Sequence, residues 1–340
     1  MSKILRAGLT IAVIAGLIGL YLFFHYFRSN NFKGSESKTI YIHSDATFDD
    51  VLQIMKDSNV LKDISTFRTV AQLRNYDTSV KPGKYILKPG MNNQQIAGKL
   101  RSGDQDPQKV TINNIRMISD LAGKASRYFE SDSITFLNYL KDPEVAASLG
   151  YNQDNFLTMF IPNTYEMFWT STPESFVKRM KKEYDNFWTQ DRINKLTANN
   201  LTPTEAYIIA SIVEKESNYT PEKPVIAGVY LNRLHAGERL QADPTVVFAM
   251  GDFSIQRVLY THLKTDSPYN TYLNTGLPPG PICMPSMASL EAVINVDKHK
   301  YMFFCARPDN SGIHVFAETY QEHLKNADNF SKWLNSLNIK

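Results

Sequence analysis

The stretch TPTEAYIIASIVEKES, residues 202–217, predicts a helix with one strongly apolar face. Thr202 can cap the start of this helix, Pro203 suits its first position, and Glu205 completes a capping box with Thr202. The apolar side chains that follow recur at helical spacing and fall on one arc of the helical wheel: Ala206, Ile209, Ile212 and Val213. We therefore expect this face of the helix to pack against a hydrophobic core.

The two glutamates of the triplet Glu214-Lys215-Glu216 are not equivalent on this wheel. Glu216 falls in the middle of the apolar arc, whereas Glu214 falls near Ser211 on the opposite face. Burial against apolar surface disfavours the charged form of a carboxyl group and raises its pKa, which lets the group act as a general acid. Glu216 is therefore a candidate catalytic acid. Two plainer roles also fit the wheel: a place in the frayed last turn, or an ion pair with Arg233.

Asp243 lies in the stretch LQADPT, residues 240–245, and has two interpretations. Because Pro244 suits the first position of a helix, Asp243 is expected to cap that helix. A carboxylate at this position can also be a second catalytic group beside Glu216.

A long loop region rich in rings and amides follows, with SPYNTY at 267–272 and GLPPGPI at 276–282. Loops of this length are usually functional or disordered, and the buried type of many residues here argues against disorder. Tyrosine faces and asparagine amides can stack on sugar rings and hydrogen-bond to them. Plain structural turns are the alternative.

Composition excludes several classes of protein. The chain has 340 residues, which at about 150 residues per domain suggests two folded units. Lysine and arginine number 37 against 34 acidic residues, so we expect no nucleic-acid partner. Two cysteines, Cys283 and Cys305, and the absence of an HExxH pair give no metal-site spacing, so we expect neither a metal nor another cofactor.

The N-terminal segment AGLTIAVIAGLIGLYLFF, residues 7–24, is uncharged and predicts a membrane-spanning helix. At 1.5 Å per residue its length is about 27 Å, close to the hydrocarbon thickness of a bilayer. The apolar run is too long for a cleavable signal peptide and lacks a small-residue cleavage site, so we expect an uncleaved single-span anchor over residues 1–28. Basic residues flank the span on both sides and leave its orientation undecided.

Beyond the span, the pattern of the chain predicts an α+β protein. A solvated linker covers 29–38, and a small module at 39–103 has strands at 39–42 and 84–87 with helices between and after them. Residues 104–340 form a mostly helical domain, in which the apolar run 156–165 is expected to be core. This domain closes with a hairpin, strands 301–306 and 313–316, and a helix from Thr319 with Glu322 in a second capping box.

Several ordered motifs resemble those of the endolytic murein transglycosylase (YceG-like) family over essentially the whole chain. They are IASIVEKES at 209–217, LNRL at 231–234, LQADPTV at 240–246, SPYNTY and GLPPGPI. FIPNTYEMF at 160–168 is similar to the family's aromatic-Pro-[Asp/Asn]-Thr segment, and the module at 39–103 to its LysM-like subdomain. Departures are mild, such as Ala242 inside LQ-x-DP.

This resemblance implies an enzyme and assigns its acid. The second glutamate of the triplet, Glu216, is the catalytic acid, and Glu216-Ser217 matches the Glu-Ser pair of many lytic transglycosylases. The implied substrate is peptidoglycan, cut between N-acetylmuramic acid and N-acetylglucosamine within the glycan strand in a lyase reaction. Polar residues near the motifs are the expected substrate-binding set: Ser217, Gln241, Asp243, Tyr269, Asn270 and Tyr272.

One inward acid suffices if the substrate supplies its own nucleophile, the muramic C6 hydroxyl, and leaves a 1,6-anhydro end. The rivals are a hydrolytic muramidase that uses Glu216 with Asp243 and a water, and a non-catalytic wall-binding anchor. The implied substrate places residues beyond about 28 outside the cytoplasmic membrane, with cell-wall synthesis proteins as partners. Whether Cys283 and Cys305 form a disulfide in that oxidising compartment is left open.

Overall fold

The computed structural model describes residues 3–255 and 257–336, and over these ranges the chain is α+β, as the sequence predicts. The described chain contains fourteen α-helices and six short β-strands. It divides into two compact units. The first comprises the chain up to Lys109 with Tyr128–Ser131 and Glu166–Thr172, and the second comprises Val110–Arg127, Asp132–Tyr165 and the chain from Pro173 onward.

The N-terminal apolar segment is helical. Helix α1 spans Lys3–Phe23 and continues as one π-helical turn, Phe24–Arg28. The stretch Arg6–Arg28 has the length and composition needed to cross a membrane, and its side chains are exposed to their surroundings. The helix is consistent with the predicted anchor, and a signal sequence near an N-terminus has the same properties.

The first unit is a small α+β module. Strands β1 (Lys38–Ile42) and β2 (Gly83–Leu87) pair antiparallel. Helices α2 (Phe48–Asp57), α3 (Ile64–Leu73) and α4 (Asn93–Ser102) supply most of the rest of its core. The predicted start of α2 is confirmed, because the side chains and backbone amides of Thr47 and Asp50 form a reciprocal capping box.

The predicted linker 29–38 is exposed at residues 33–37 but is not solvated throughout. Asn31 and Phe32 are buried in the core of the first unit. The Asn31 amide donates to Asn93 Oδ1 and to the Asp63 carbonyl, each at 2.6 Å, and Asn31 Oδ1 accepts from Asp63 N at 2.8 Å. A buried amide needs such partners, and a polar composition by itself does not reveal them.

The second unit is mostly helical. Its helices are α5 (Ile118–Ala125), α6 (Ser133–Lys141), α7 (Pro143–Ser148), α8 (Pro173–Phe187), α9 (Gln190–Thr197), α10 (Pro203–Glu216), α11 (Lys223–His235), α12 (Asp243–Met250), α13 (Met287–Ile294) and α14 (Tyr320–Ser336). Strands β3 (Gln108–Ile112) and β4 (Asn163–Met167) form one two-stranded sheet. Strands β5 (Phe303–Ala306) and β6 (His314–Ala317) form the predicted antiparallel hairpin. The sequence did not predict α13.

Helix α10 is buried over most of its circumference, more fully than a one-sided apolar face predicts. Every residue from Ala206 to Val213 is buried. The polar members of this run have internal partners: Tyr207 donates its hydroxyl to the Phe160 carbonyl at 2.9 Å, and Ser211 Oγ accepts from Ile282 N at 3.1 Å. Since α10 is surrounded by packed elements, both of its C-terminal glutamates are placed at the rim of the core.

Candidate active site

Glu216 is the last residue of α10, and its partly buried carboxyl group has a tyrosine as hydrogen-bond partner. The hydroxyl of Tyr230 on α11 donates to Glu216 Oε1. Burial raises the pKa of Glu216 to about 7; the Tyr230 hydrogen bond opposes this rise, and the negative charge of Asp243 adds to it. A carboxyl group with this pKa is available both as an acid and as a base near neutral pH.

Two cavities of the second unit meet at Glu216 and Asp243. The first, of about 540 Å³, is lined by charged groups that include Arg116, Lys215 and Arg257 and by apolar side chains: Pro244, Val247, Phe248, Phe253, Val258 and Ile282. The second, of about 270 Å³, is lined by rings and polar groups that include Tyr230, Arg233, Gln241, Tyr272, Phe303 and Phe304. The Glu216 carboxyl group therefore faces a cleft that continues on two sides of it.

Asp243 does not cap a helix, contrary to the simpler sequence interpretation. Helix α12 begins at Asp243 itself, the cap position is Ala242, and the start of the helix has no side-chain cap. The Asp243 carboxylate is exposed in the cleft and accepts a hydrogen bond from the Tyr272 hydroxyl at 2.6 Å. The structure thus brings Asp243 and Tyr272 together beside Glu216.

Gln241 lines the second cavity in a backbone conformation that is rare for residues other than glycine, with φ of 52°. Its Oε1 accepts from Arg233 Nη2 at 2.6 Å. The buried Arg233 guanidinium also donates to the carbonyls of Arg239 and Met302. These bonds orient Arg233 away from the predicted ion pair with Glu216, and they hold the Gln241 side chain at the cavity wall.

Ser217 is buried in a network behind the cleft. Its Oγ donates to Glu222 Oε1 at 2.5 Å and accepts from Tyr219 N at 3.0 Å. The second Glu222 oxygen accepts from the backbone amide of His314 at 3.0 Å, and the His314 ring Nδ1 lies 2.9 Å from Glu222 Oε1. These contacts give Ser217 a positioning role at the end of α10, while its predicted contact with substrate stays a prediction.

Asn270 and Tyr269 shape the loop region after α12. Asn270 is fully buried, donates to the carbonyls of Leu263 and Thr265, and accepts from Tyr272 N. The ring of Tyr269 packs on Phe248 with 4.7 Å between centroids, and burial raises the pKa of its hydroxyl to about 12. Asn270 therefore holds Tyr272 at the cleft, and the direct sugar contacts predicted for both Asn270 and Tyr269 are untested.

Glu214 is surrounded by donors. Its Oε2 accepts from Lys223 Nζ at 3.0 Å, from Ser286 Oγ at 2.6 Å and from Ser289 Oγ at 2.5 Å. Burial would raise its pKa, but the serine hydrogen bonds and the Lys223 ammonium group together lower the pKa of Glu214 below its ordinary value. Glu214 is thus an ionised structural carboxylate.

Tyr230 is the functional residue that sequence reasoning missed. It lies between the apolar residues Val229 and Leu231 on α11, and nothing local shows that its hydroxyl reaches Glu216, which lies on another helix. Cys283 and Cys305, whose pairing the sequence left open, are both free. Within residues 3–255 and 257–336, no group of three or more histidine, cysteine, aspartate and glutamate side chains has an arrangement that would hold a metal ion.

Comparison with known proteins confirms the resemblance that the motifs indicate. The sequence profile described as the YceG-like family matches residues 40–329. The chain belongs to the YceG-like family. It is 31% identical over 324 residues to a Bacillus subtilis protein named endolytic murein transglycosylase, with 90% of this chain and 88% of that protein aligned. A Streptococcus pneumoniae protein with the same name is 26% identical over 321 residues, which cover 85% of this chain and 57% of that protein.

The fold of the YceG-like chain also has a solved counterpart. A crystal structure of a YceG-like protein from Listeria monocytogenes superposes with a TM-score of 0.56 at 30% sequence identity. The match covers 86% of this chain and 99% of that one. The family match includes both glutamates of α10 and every residue that lines the cleft.

Proposed function

We propose that this chain is an endolytic lytic transglycosylase that cleaves peptidoglycan between N-acetylmuramic acid and N-acetylglucosamine, with Glu216 as its acid and base. The observation that carries the proposal is a single carboxyl group of pKa about 7 in a cleft that continues on two sides of it. The names of the Bacillus and Streptococcus relatives support the same activity.

The reaction needs one group that first gives and then takes a proton. Protonated Glu216 donates its proton to the glycosidic oxygen as the bond from that oxygen to muramic C1 breaks. The resulting Glu216 carboxylate then accepts the proton of the muramic C6 hydroxyl as this oxygen attacks C1. The product carries a 1,6-anhydro ring, no water is consumed, and Glu216 ends the cycle protonated.

Tyr230 supports both halves of this cycle. Its hydroxyl binds Oε1 of Glu216, which leaves Oε2 to exchange the proton with the sugar. A hydrogen bond to a carboxylate favours the charged form, so Tyr230 stabilises Glu216 after the proton has left and keeps its pKa from rising further.

The two-sided cleft supports cleavage within a strand. A strand that is cut internally must occupy the protein on both sides of the scissile bond. The two cavities that meet at Glu216 provide such room, one with apolar and charged side chains in its wall and the other with rings and polar groups. Gln241 and Tyr272 in the second cavity are the proposed orienting contacts.

The proposed location follows from the substrate. Helix α1 anchors the chain in the cytoplasmic membrane, and residues beyond about 28 lie on the extracytoplasmic side, where peptidoglycan is found. The partners proposed there are the glycan strand and the proteins that synthesise the cell wall.

The test is product analysis by mass spectrometry after digestion of purified sacculi with the full chain in detergent. We expect 1,6-anhydromuramic ends, and a Glu216→Gln chain that releases none. Reducing ends that have gained a water would contradict the lyase reaction, and normal cleavage by Glu216→Gln would contradict the assignment of the acid.

A hydrolytic muramidase is the second candidate, because the exposed Asp243 carboxylate lines both cavities beside Glu216. A hydrolase that relies on Asp243 to activate water would lose turnover in Asp243→Asn. The proposed transglycosylase would still form anhydro ends in that variant.

A further inference from the structure

We infer that the cleft binds carboxylate groups of the peptide stems that peptidoglycan strands carry, through a basic rim formed by Arg116, Lys215 and Arg257. The inference rests on the proposed function and names a second part of the substrate at the same site. All three side chains line the 540 Å³ cavity beside Glu216. A glycan backbone is uncharged, so its sugar rings alone do not account for three cations on one wall.

Arg116 lies at the junction of three cavities. It lines the 540 Å³ cavity, a cavity of about 390 Å³ that Lys215 also lines, and another of about 330 Å³. A side branch of the strand can therefore leave the main cleft at Arg116. The 390 Å³ cavity is also lined by Asn113, Asn114 and Met284, which offer amide and apolar contacts of the kind that a peptide requires.

The guanidinium group of Arg116 is already oriented for a carboxylate. Its Cζ lies 3.7 Å from the centroid of the Phe253 ring. Stacking on an aromatic face fixes the plane of the guanidinium group and leaves its edge of N–H donors available for a bidentate contact. Within the described residues 3–255 and 257–336, no carboxylate oxygen lies within 4.0 Å of the side-chain nitrogens of Arg116, Lys215 or Arg257.

Among the acidic groups in the same cavities, Asp120, Glu214 and Asp243 accept hydrogen bonds from this chain, and Glu216 is the proposed acid. Asp154 lines the cavity of about 330 Å³ that Arg116 also lines. The Asp120 carboxylate accepts from the backbone amides of Arg116 and Met117 at the start of α5. Glu214 accepts from Lys223 and two serines. The basic rim is therefore left for an anion from outside the chain, and the apolar wall beside it favours a peptide over a polyphosphate.

The test compares two substrates that differ in charge alone. Glycan strands are freed of phosphate polymers with hydrofluoric acid, and in one half of the sample the stem carboxylates are converted to carboxamides. We expect wild-type kcat/KM to be about tenfold higher on the strands with free carboxylates. The double variant Arg116→Gln/Lys215→Gln should bring the ratio of the two kcat/KM values close to one. The single variant Arg116→Lys, which keeps the positive charge, should keep part of the preference for free carboxylates.

Lys298→Gln is the matched control, because Lys298 is exposed in the second unit and lies outside the residues that line these cavities. It should keep the wild-type ratio. Each ratio is taken within one variant, so a variant that folds less well lowers both rates and leaves the ratio unchanged.

Binding of both strands to Glu216→Gln, measured by fluorescence polarisation, separates the two proposals. If the wild-type chain cleaved neither strand, the proposed function would be contradicted. The ratio of the affinities of Glu216→Gln for the two strands would still decide whether the basic rim binds stem carboxylates. Equal rates and affinities on the two strands, or a ratio unchanged in the double variant, would overturn the basic rim. Strands that have not been treated with hydrofluoric acid complete the test: if the double variant binds these more weakly than wild type but binds the treated strands equally well, the rim recognises a phosphate polymer and the peptide is overturned as its ligand.

Discussion

Glu214 and Glu216 lie two residues apart at the end of α10, and their surroundings shift their pKa values in opposite directions. Burial favours the neutral form of both groups, but an ammonium group and serine hydroxyls lower the pKa of Glu214. Burial, with the charge of Asp243 adding to it, raises the pKa of Glu216 to about 7 against the single opposing hydrogen bond from Tyr230. Both are partly buried. Burial alone therefore does not make a catalytic acid; the partners that the neighbouring helices supply decide it.

One partner of each glutamate comes from the same helix. Lys223 and Tyr230 both lie on α11, and Ser286 and Ser289 at the start of α13 complete the surroundings of Glu214. Two positions of one helix thus distinguish the structural carboxylate Glu214 from the proposed acid Glu216. The predictions below separate these roles.

Glu216→Gln should have the largest effect, a loss of activity of about 10³-fold or more, because general acid catalysis typically supplies 10²–10⁴-fold and the same group also acts as base. Sacculus digestion followed by chromatography of the products measures it. Loss of less than tenfold would contradict the role of Glu216.

The same variant should be more stable than wild type at pH 8. The pKa of Glu216 is about 7 in the folded chain and about 4.5 ordinarily, so its ionisation costs folding free energy as the pH rises through this window. Thermal unfolding of both chains should show the difference at pH 8 and its disappearance near pH 4. A wild-type chain that is the more stable at pH 8 would contradict the raised pKa.

Glu214→Gln should act on stability. Glu214 and Lys223 have side chains that are 25% and 5% exposed, and removing one partner leaves the buried ammonium group unpaired. We expect a loss of about 2–4 kcal/mol in the free energy of unfolding at pH 7, measured with urea. Because the pKa of Glu214 is lowered in the folded state, this difference should shrink as the pH falls through that pKa.

Glu214→Gln/Lys223→Met is the matched control and should recover much of the loss, since it removes the unpaired charge. Full activity in a folded Glu214→Gln chain would be compatible with the structural role. Loss of turnover without loss of stability would contradict it.

The pH dependence of kcat/KM should follow the protonated form of Glu216. Activity should be constant below about pH 7 and fall about tenfold per unit above it. Tyr230→Phe removes a hydrogen bond that lowers the pKa of Glu216, so the fall in kcat/KM of this variant should begin at higher pH. Asp243→Asn removes a charge that raises the pKa of Glu216, so the fall in kcat/KM should begin at lower pH. Shifts in the same direction would contradict this account of the site.

Ser217→Ala should have the smallest effect, about 1–2 kcal/mol in the free energy of unfolding, because it removes one buried hydrogen bond to Glu222. A positioning role predicts a lower kcat with little change in KM. A raised KM with an unchanged kcat would instead assign Ser217 to substrate contact. Ser331→Ala, at an exposed position of α14, is the control.

Much of the fold could be predicted because its signals are local. The capping boxes at Thr47, Thr202 and Thr319 place the starts of three helices, and the alternating strands at 39–42 and 84–87 lie within β1 and β2. The predictions that failed concern residues whose surroundings come from distant parts of the sequence. Asn31 and Phe32 lie in a polar-looking segment, and their burial depends on partners more than thirty residues away in sequence.

The candidate site was also predicted only where its signals are local. The helical period singled out Glu216 and the family motifs supported it, but the period also predicted a polar face for Glu214, and the structure buries that face. Asp243 was expected to cap a helix, and its place in the cleft depends on Tyr272. Such contacts follow from how helices pack and leave no local pattern.

The sequence by itself determined the α+β class, the apolar N-terminal helix, most helix starts and the identity of the candidate acid, because propensity, capping and periodicity act over a few residues. Tertiary structure alone decided which of two neighbouring glutamates meets an ammonium group and which meets a tyrosine. The pKa of a carboxyl group depends on the atoms within a few ångströms of it, and here those atoms come from α11, α13 and the segment around Asp243.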